Sequence, residues 1–97
     1  MRSTGLLIID PQDGFHPNEA LVHRIRQAAD RYGHVVMTRF TNQPNSLYRT
    51  VLGWHGDGGP LSFQVSQAVI LDEDGYWLTA QHLQILREMK CAEWHIC

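Results

Sequence analysis

The sequence predicts an α/β domain built on a parallel sheet, and three observations predict it. Short apolar runs bounded by breakers, Gly5 to Ile9 foremost, read as strands buried on both faces, the habit of parallel sheets covered by helices. Between these runs lie capped stretches with helical spacing, so strand, helix and strand alternate along the chain. At 97 residues the chain accommodates one such domain, spanning 1–97, and a small one for its class.

The first strand, Gly5-Leu6-Leu7-Ile8-Ile9, ends abruptly on Asp10, with Pro11 closing it. Asp10 therefore stands at the carboxyl end of a strand, and ligands of open α/β sheets bind in the crevice outside those ends. The competing reading is a turn cap, since an Asp before Pro often bonds its own backbone. Gly14-Phe15-His16-Pro17 turns the chain, and Asn18 caps a helix running to about Tyr32. Leu21, Ile25, Ala28, Ala29 and Tyr32 fall on one face of it, and Gly33 ends it in the left-handed position.

His34 to Phe40 forms the second strand, parallel to the first across a crossover. Thr41 to Ser46 is a loop at the same end of the sheet as Asp10, and Ser46 caps a short helix through Trp54. His55 to Pro60 is glycine-rich but follows no strand and opens no helix, so a phosphate cradle lacks its context, and the chain stays irregular to Gln67. Ala68 to Leu71 is the third strand, ending in the turn Asp72-Glu73-Asp74-Gly75. Thr79 caps the next helix, whose Leu83, Ile85, Leu86 and Met89 supply an apolar side, and Ala92 to Cys97 is the last strand.

Composition narrows the function classes. A formal charge of -2 leaves no basic footprint and argues against nucleic acid as the partner. No apolar run approaches the ~18 residues of a membrane span, and Met1-Arg2-Ser3-Thr4 leads straight into the first strand without a signal peptide, so a cytoplasmic location is expected. Cys91 and Cys97 are too few for a disulfide framework, and an extended segment between them spans roughly 20 Å, so both are expected as free thiols. His16, His23, His34, His55, His82 and His95 show no metal-ligand spacing, and no cofactor is expected. Asp10, Asp13, Asp72, Glu73 and Asp74 cluster at strand ends, which suits either Mg²⁺ or, more simply, a solvated acidic turn.

The stretch Leu7-Ile8-Ile9-Asp10-x-Gln12-x-x-Phe15 resembles the opening signature of the isochorismatase-like cysteine hydrolases. Val35 to Phe40 followed by Asn42, Pro44, Ser46, Tyr48, Leu52 and Trp54 resembles that family's second strand and the loop after it. Gly75-Tyr76 with Leu78-Thr79 resembles the segment following its third strand, and Glu93 to Cys97 the strand leading to its nucleophile. The four blocks come in the family's order and cover nearly all of the chain. The resemblance implies a three-layer α/β/α domain with a Rossmann-like parallel sheet of about six strands, the first four present here in the order 3-2-1-4. It implies hydrolysis of a small amide or vinyl ether, with an Asp-Lys-Cys triad in the amide hydrolases. Asp10 matches the Asp, which takes the thiol proton and later returns it; Phe15, Arg39, Asn42, Tyr48 and Tyr76 are the candidate substrate-binding residues.

Two departures stand against that machinery. A thiol nucleophile needs a base within reach and positive charge nearby, yet Glu73 occupies the family's lysine position and Lys90, the only lysine, lies at the far end of the following helix. At ~4 Å and an effective dielectric near 20 the reversed coupling is about 4 kcal/mol. The family nucleophile also comes several residues after the Cys97 position, at a helix start that depresses its pKa, and Cys97 lacks that setting. The expectation is a truncated, N-terminal portion of a hydrolase domain, inactive by itself. The alternative is a non-catalytic small-molecule module in which Arg39 pairs a carboxylate ligand or, more simply, a strand-end acid, with Trp54, Tyr76 and Trp77 lining a wall. Nicotinamidase relatives ligate metal downstream of the second strand, but Thr41 to Asn45 offers no such ligands, so no zinc is expected. Trp94 and Ile96 leave an open sheet edge suited to a homo-oligomer.

Overall fold

The computed structural model describes residues 4–75 and 78–97. Strands β1 (Thr4–Ile8), β2 (His34–Phe40), β3 (Val69–Glu73) and β4 (Glu93–Ile96) alternate with helices α1 (Glu19–Ala29), α2 (Leu47–Thr50) and α3 (Ala80–Glu88). The four strands form one sheet in the order β3-β2-β1-β4, every pair parallel. This is the predicted fold class and strand order.

Strand alternation splits the core into two layers. Leu6, Ile8, Val35 and Met37 turn to one face, where Ala29, Val22, Ile25 and Tyr32 of the α1 region and Phe63 cover them. Leu7, Val36 and Leu71 turn to the other, under Ile85, Leu86 and Met89 of the α3 region and Trp94. β1 and β2 are buried on both sides because each carries apolar residues at successive positions, which only helices on both faces can cover. Gly5 lies where β1 meets β4, and a side chain there would collide with the Trp94 ring.

Several boundaries differ from those the sequence suggests. Asn18 caps α1 through its side chain, which accepts from the Leu21 amide, but the helix ends at Ala29 rather than Tyr32. Gly33 is not left-handed; tighter turns from Arg31 to Ala28 and Tyr32 to Ala29 close the helix, and the Gly33 amide donates to Thr4. The buried stripe is Val22, Ile25, Ala29 and Tyr32, one residue round from the expected face at its start, and Leu21 faces solvent. Ser46 does cap α2, accepting from Arg49, but four residues later the helix is over. Its continuation is not helical: Gly53 is left-handed (φ 67°) and the Trp54 amide bonds Tyr48, folding the Trp54 ring back onto Tyr48.

β3 begins and ends later than expected, so Asp72 and Glu73 are strand residues and not part of the turn. Alternation therefore sends them to opposite faces of the sheet. Thr79 caps α3 in a reciprocal box with His82. β4 proper stops at Ile96, yet Cys97 stays on the ladder through its amide to Leu7 and its carbonyl to Ile9.

Candidate functional site

At the carboxyl ends of β1 and β2 the chain makes an unusual turn. Asp10 has left-handed backbone (φ 46°), which takes it out of the strand alternation and brings its carboxylate to Thr38. The buried Thr38 hydroxyl accepts from the Asp10 amide at 2.9 Å and donates to Asp10 Oδ1 at 2.6 Å. A non-glycine residue in this region carries strain of order 1 kcal/mol or more, and the two Thr38 bonds hold it there. Thr38, Phe40 and Glu73 share a face, because Thr38 pairs Leu71 and Phe40 pairs Glu73 across the β2–β3 ladder.

Glu73 meets Asp10 at this end of the sheet. Its carboxyl is pushed up to about 7, first by burial, with the Asp10 carboxylate, a hydrogen bond to Asp10 and nearby Asp74 adding to the rise. The Gly75 amide, donating to Glu73 Oε2 at 2.6 Å, pulls the other way without cancelling it. Two close carboxyls cannot both ionise without cost, so Glu73 keeps its proton to higher pH than a free carboxyl does.

An aromatic wall flanks the pair. Phe40 stacks on Trp54 at 6.0 Å between ring centres, meets Tyr48 edge-on at 5.9 Å and touches Phe15 at 6.0 Å. The Tyr48 hydroxyl donates to the Gly75 carbonyl at 3.0 Å, tying the wall to the loop that holds Glu73. Gly75 is left-handed (φ 90°), and a side chain there would press within 2.7 Å of the Phe40 ring and 2.9 Å of the Tyr48 oxygen. Beside Glu73 opens a groove of about 370 Å³ that includes Thr41, Gln43, Asp74, Thr79 and His82.

Of the residues singled out from the sequence, Asp10, Glu73, Phe15 and Tyr48 come together around Phe40. Asn42 lies behind them: it is buried, donates to the carbonyls of Trp54 (3.2 Å) and Gly56 (2.7 Å), and accepts from Ser46. It positions the loop rather than facing a ligand. Arg39 is on the opposite face, in a bidentate pair with Asp72 at 2.6 and 3.0 Å, which raises the guanidinium and holds the Asp72 carboxyl below its ordinary value. The simpler expectation for Arg39, a strand-end acid as partner, is the one observed. Tyr76 and Trp77 lie outside the described residues.

Sequence reasoning assigned no role in the site to Thr38, Gln12 or Gly75. Gln12 is fully buried, its amide donating to Phe40 (3.0 Å) and Gly59 (2.8 Å) carbonyls while its oxygen accepts from the Phe40 amide at 2.6 Å. It thereby joins the β1 turn, the end of β2 and the glycine-rich loop, and Gly58 packs too closely on it to carry a side chain. Thr38 had a signal, as the one hydroxyl in β2. Gln12 stood in the sequence only as part of the Asp10-x-Gln12 pattern, with no role attached.

The two cysteines are free; burial pushes both thiols up. Among the described residues no three His, Cys, Asp or Glu side chains gather into a metal site. Of the acids offered for Mg²⁺, Asp72 is paired with Arg39. Among the described residues no helix is long and apolar enough to cross a membrane. Comparison with known proteins gives no match: no family model fits the chain, and no curated protein or solved structure is significantly similar to it.

Proposed function

We infer that the acid pair is the proton-handling half of a small-molecule hydrolase site of the isochorismatase-like kind, working in the cytoplasm. The observation that carries this reading is Asp10: a carboxylate at the tip of a central parallel strand, held in strained backbone by Thr38, beside an aromatic wall. Ligands of open α/β sheets lie at this position, and backbone strain concentrates at working sites. In this reading Asp10 takes the proton of a nucleophilic thiol and returns it to the leaving group of a small amide or vinyl ether. Phe15 and Tyr48 pack against the substrate.

The thiol comes from chain that follows β4, whose last ladder bond, from the Ile9 amide to the Cys97 carbonyl at 2.8 Å, runs next to Asp10. Cys97 itself is not the nucleophile in this reading, since it lies on the β4 ladder and not at the helix N-terminus that lowers a thiol pKa. Glu73 in place of a lysine supplies a proton rather than a positive charge, so the site works best below the pH, about 7, at which Glu73 loses that proton. The outer edge of β4 pairs with a second copy of the chain in this reading.

The test is to read the coding frame past Cys97 and to assay the encoded protein on small amides and vinyl ethers. A cysteine opening the helix after β4, with turnover abolished by Asp10→Asn and raised by Glu73→Lys, supports the reading. A frame without that cysteine, or turnover indifferent to Asp10→Asn, overturns it. The 97-residue chain alone is expected to turn over neither substrate class.

A further inference from the structure

A second constellation sits on the other face of the sheet, where the end of the α1 region meets edge strand β4. Tyr32 Oη and His95 Nδ1 are 2.6 Å apart, and the two rings meet edge to face with centres at 5.4 Å. His95 Nε2 lies 3.0 Å from Glu93 Oε1. A carboxylate only accepts, so Nε2 carries a hydrogen; in the neutral imidazole Nδ1 is then the acceptor, and the Tyr32 hydroxyl donates to it. Phenol, base and orienting acid stand in a row, the arrangement that activates a hydroxyl nucleophile.

Tyr32 and His95 also line a cavity of about 240 Å³, with Leu6, Ile25, Ala28 and Ile96 as apolar lining and Arg24 as a cation. That volume is below the range of drug-sized pockets, so it fits a single ring or a short acyl group. Arg24 uses its Nε on the Ala20 carbonyl at 3.4 Å. Its terminal nitrogens have the chemistry to stabilise an oxyanion.

The geometry points to Tyr32 as an acyl-accepting nucleophile toward small activated aryl esters, with His95 as its general base and Glu93 as the positioning residue that fixes the imidazole. Tyr32 Oη attacks the ester carbonyl carbon while its proton passes to His95 Nδ1. The tetrahedral adduct collapses by breaking the bond between the carbonyl carbon and the aryl oxygen. The aryl oxide then takes the proton from His95. Ester and phenol thus become O-acyl-tyrosine and a free phenol, with no other reagent consumed. The inference is independent of the Asp10 site, which lies across the sheet.

The experiment uses p-nitrophenyl acetate on the whole chain carrying Cys97→Ser, which removes the thiol that shares the cavity. The expected result is a burst of about one equivalent of p-nitrophenol per chain, with one acetyl group mapped to Tyr32 by peptide mass spectrometry. His95→Ala slows acetylation by about a hundredfold, the usual scale of a general base, and added imidazole restores it, which a merely structural histidine would not allow. Tyr32→Phe abolishes the burst. Acetyl groups found on Lys90 or the chain terminus with none on Tyr32 overturn the inference. So does a His95→Ala rate that matches the parent. The mapping is made with Tyr32 intact, so it decides the matter even if Tyr32→Phe disturbs α1.

Discussion

Glu73 is a carboxyl whose folded-state pKa, about 7, lies above its ordinary 4.5, and that difference sets a pH dependence of stability. Between those values the folded chain binds more protons than the unfolded one, so the slope of unfolding free energy against pH is negative. Stability from this group is greatest below about 4.5, declines as pH rises toward 7 and stays reduced above it. Glu73 is only partly buried, and solvent screening brings the loss to the order of 1 kcal/mol. Glu73→Gln, which removes the titrating acid but keeps an acceptor for the Gly75 amide, is expected to flatten this decline and to stabilise the chain at pH 8 by about that amount. Urea midpoints at pH 5 and pH 8 measure it. Equal midpoint differences between the two proteins at both pH values would show that Glu73 is an ordinary surface acid.

At the scale of elements, Gln12 does more than any side chain of the strands to fix where β1 and β2 end. Its three hydrogen bonds reach two segments remote in sequence, and all are closed to water at the Gln12 side. Gln12→Leu preserves much of the volume but strands the Phe40 amide, the Phe40 carbonyl and the Gly59 carbonyl, at 1–3 kcal/mol for each group left unsatisfied. A loss of about 3 kcal/mol in chemical denaturation is expected, since the loop can relax toward water at Gly59. The fluorescence of Trp54, whose neighbours hang from the same loop, is expected to shift with it. A loss below about 1 kcal/mol would mean that the clamp is dispensable.

Apolar runs and caps were legible because they are local: Asn18, Ser46 and Thr79 cap through their own side chains, and the β1 and β2 runs have no other way to be buried. Asp10 was legible as a strand-tip acid. What escaped depends on partners far along the chain. Thr38 meets Asp10 and Gln12 meets Phe40 across 28 positions, and Glu73 takes its role only once β3 has paired with β2 in its true register. Ending that strand two residues later, at Glu73, moved both acids out of a turn and onto opposite faces.

For the whole molecule, the consequential asymmetry is between the two edges of the sheet. β3 has acids at its carboxyl end, with Asp72 held by Arg39, and charge discourages strand addition there. β4 pairs with β1 on one side and, among the described residues, with no strand on the other. Its Ile96 is 68% exposed and Trp94 half-buried, an apolar edge on a strand of four residues. Unpaired backbone beside exposed apolar side chains is a template for another strand, and a second copy of the chain is the partner always at hand. Two β4 edges related by a twofold axis run antiparallel, and each Ile96 is then shielded by the other copy. Sedimentation equilibrium from micromolar to millimolar chain is expected to show reversible dimers. Ile96→Lys, which places a charge on that edge without touching the β1–β4 ladder, is expected to weaken association at least tenfold, about 1.4 kcal/mol. Because Ile96 is mostly solvated in the single chain, the same substitution leaves monomer stability within about 0.5 kcal/mol. A wild-type chain that stays monomeric throughout, or a lysine variant that dimerises equally well, would remove the edge as the contact.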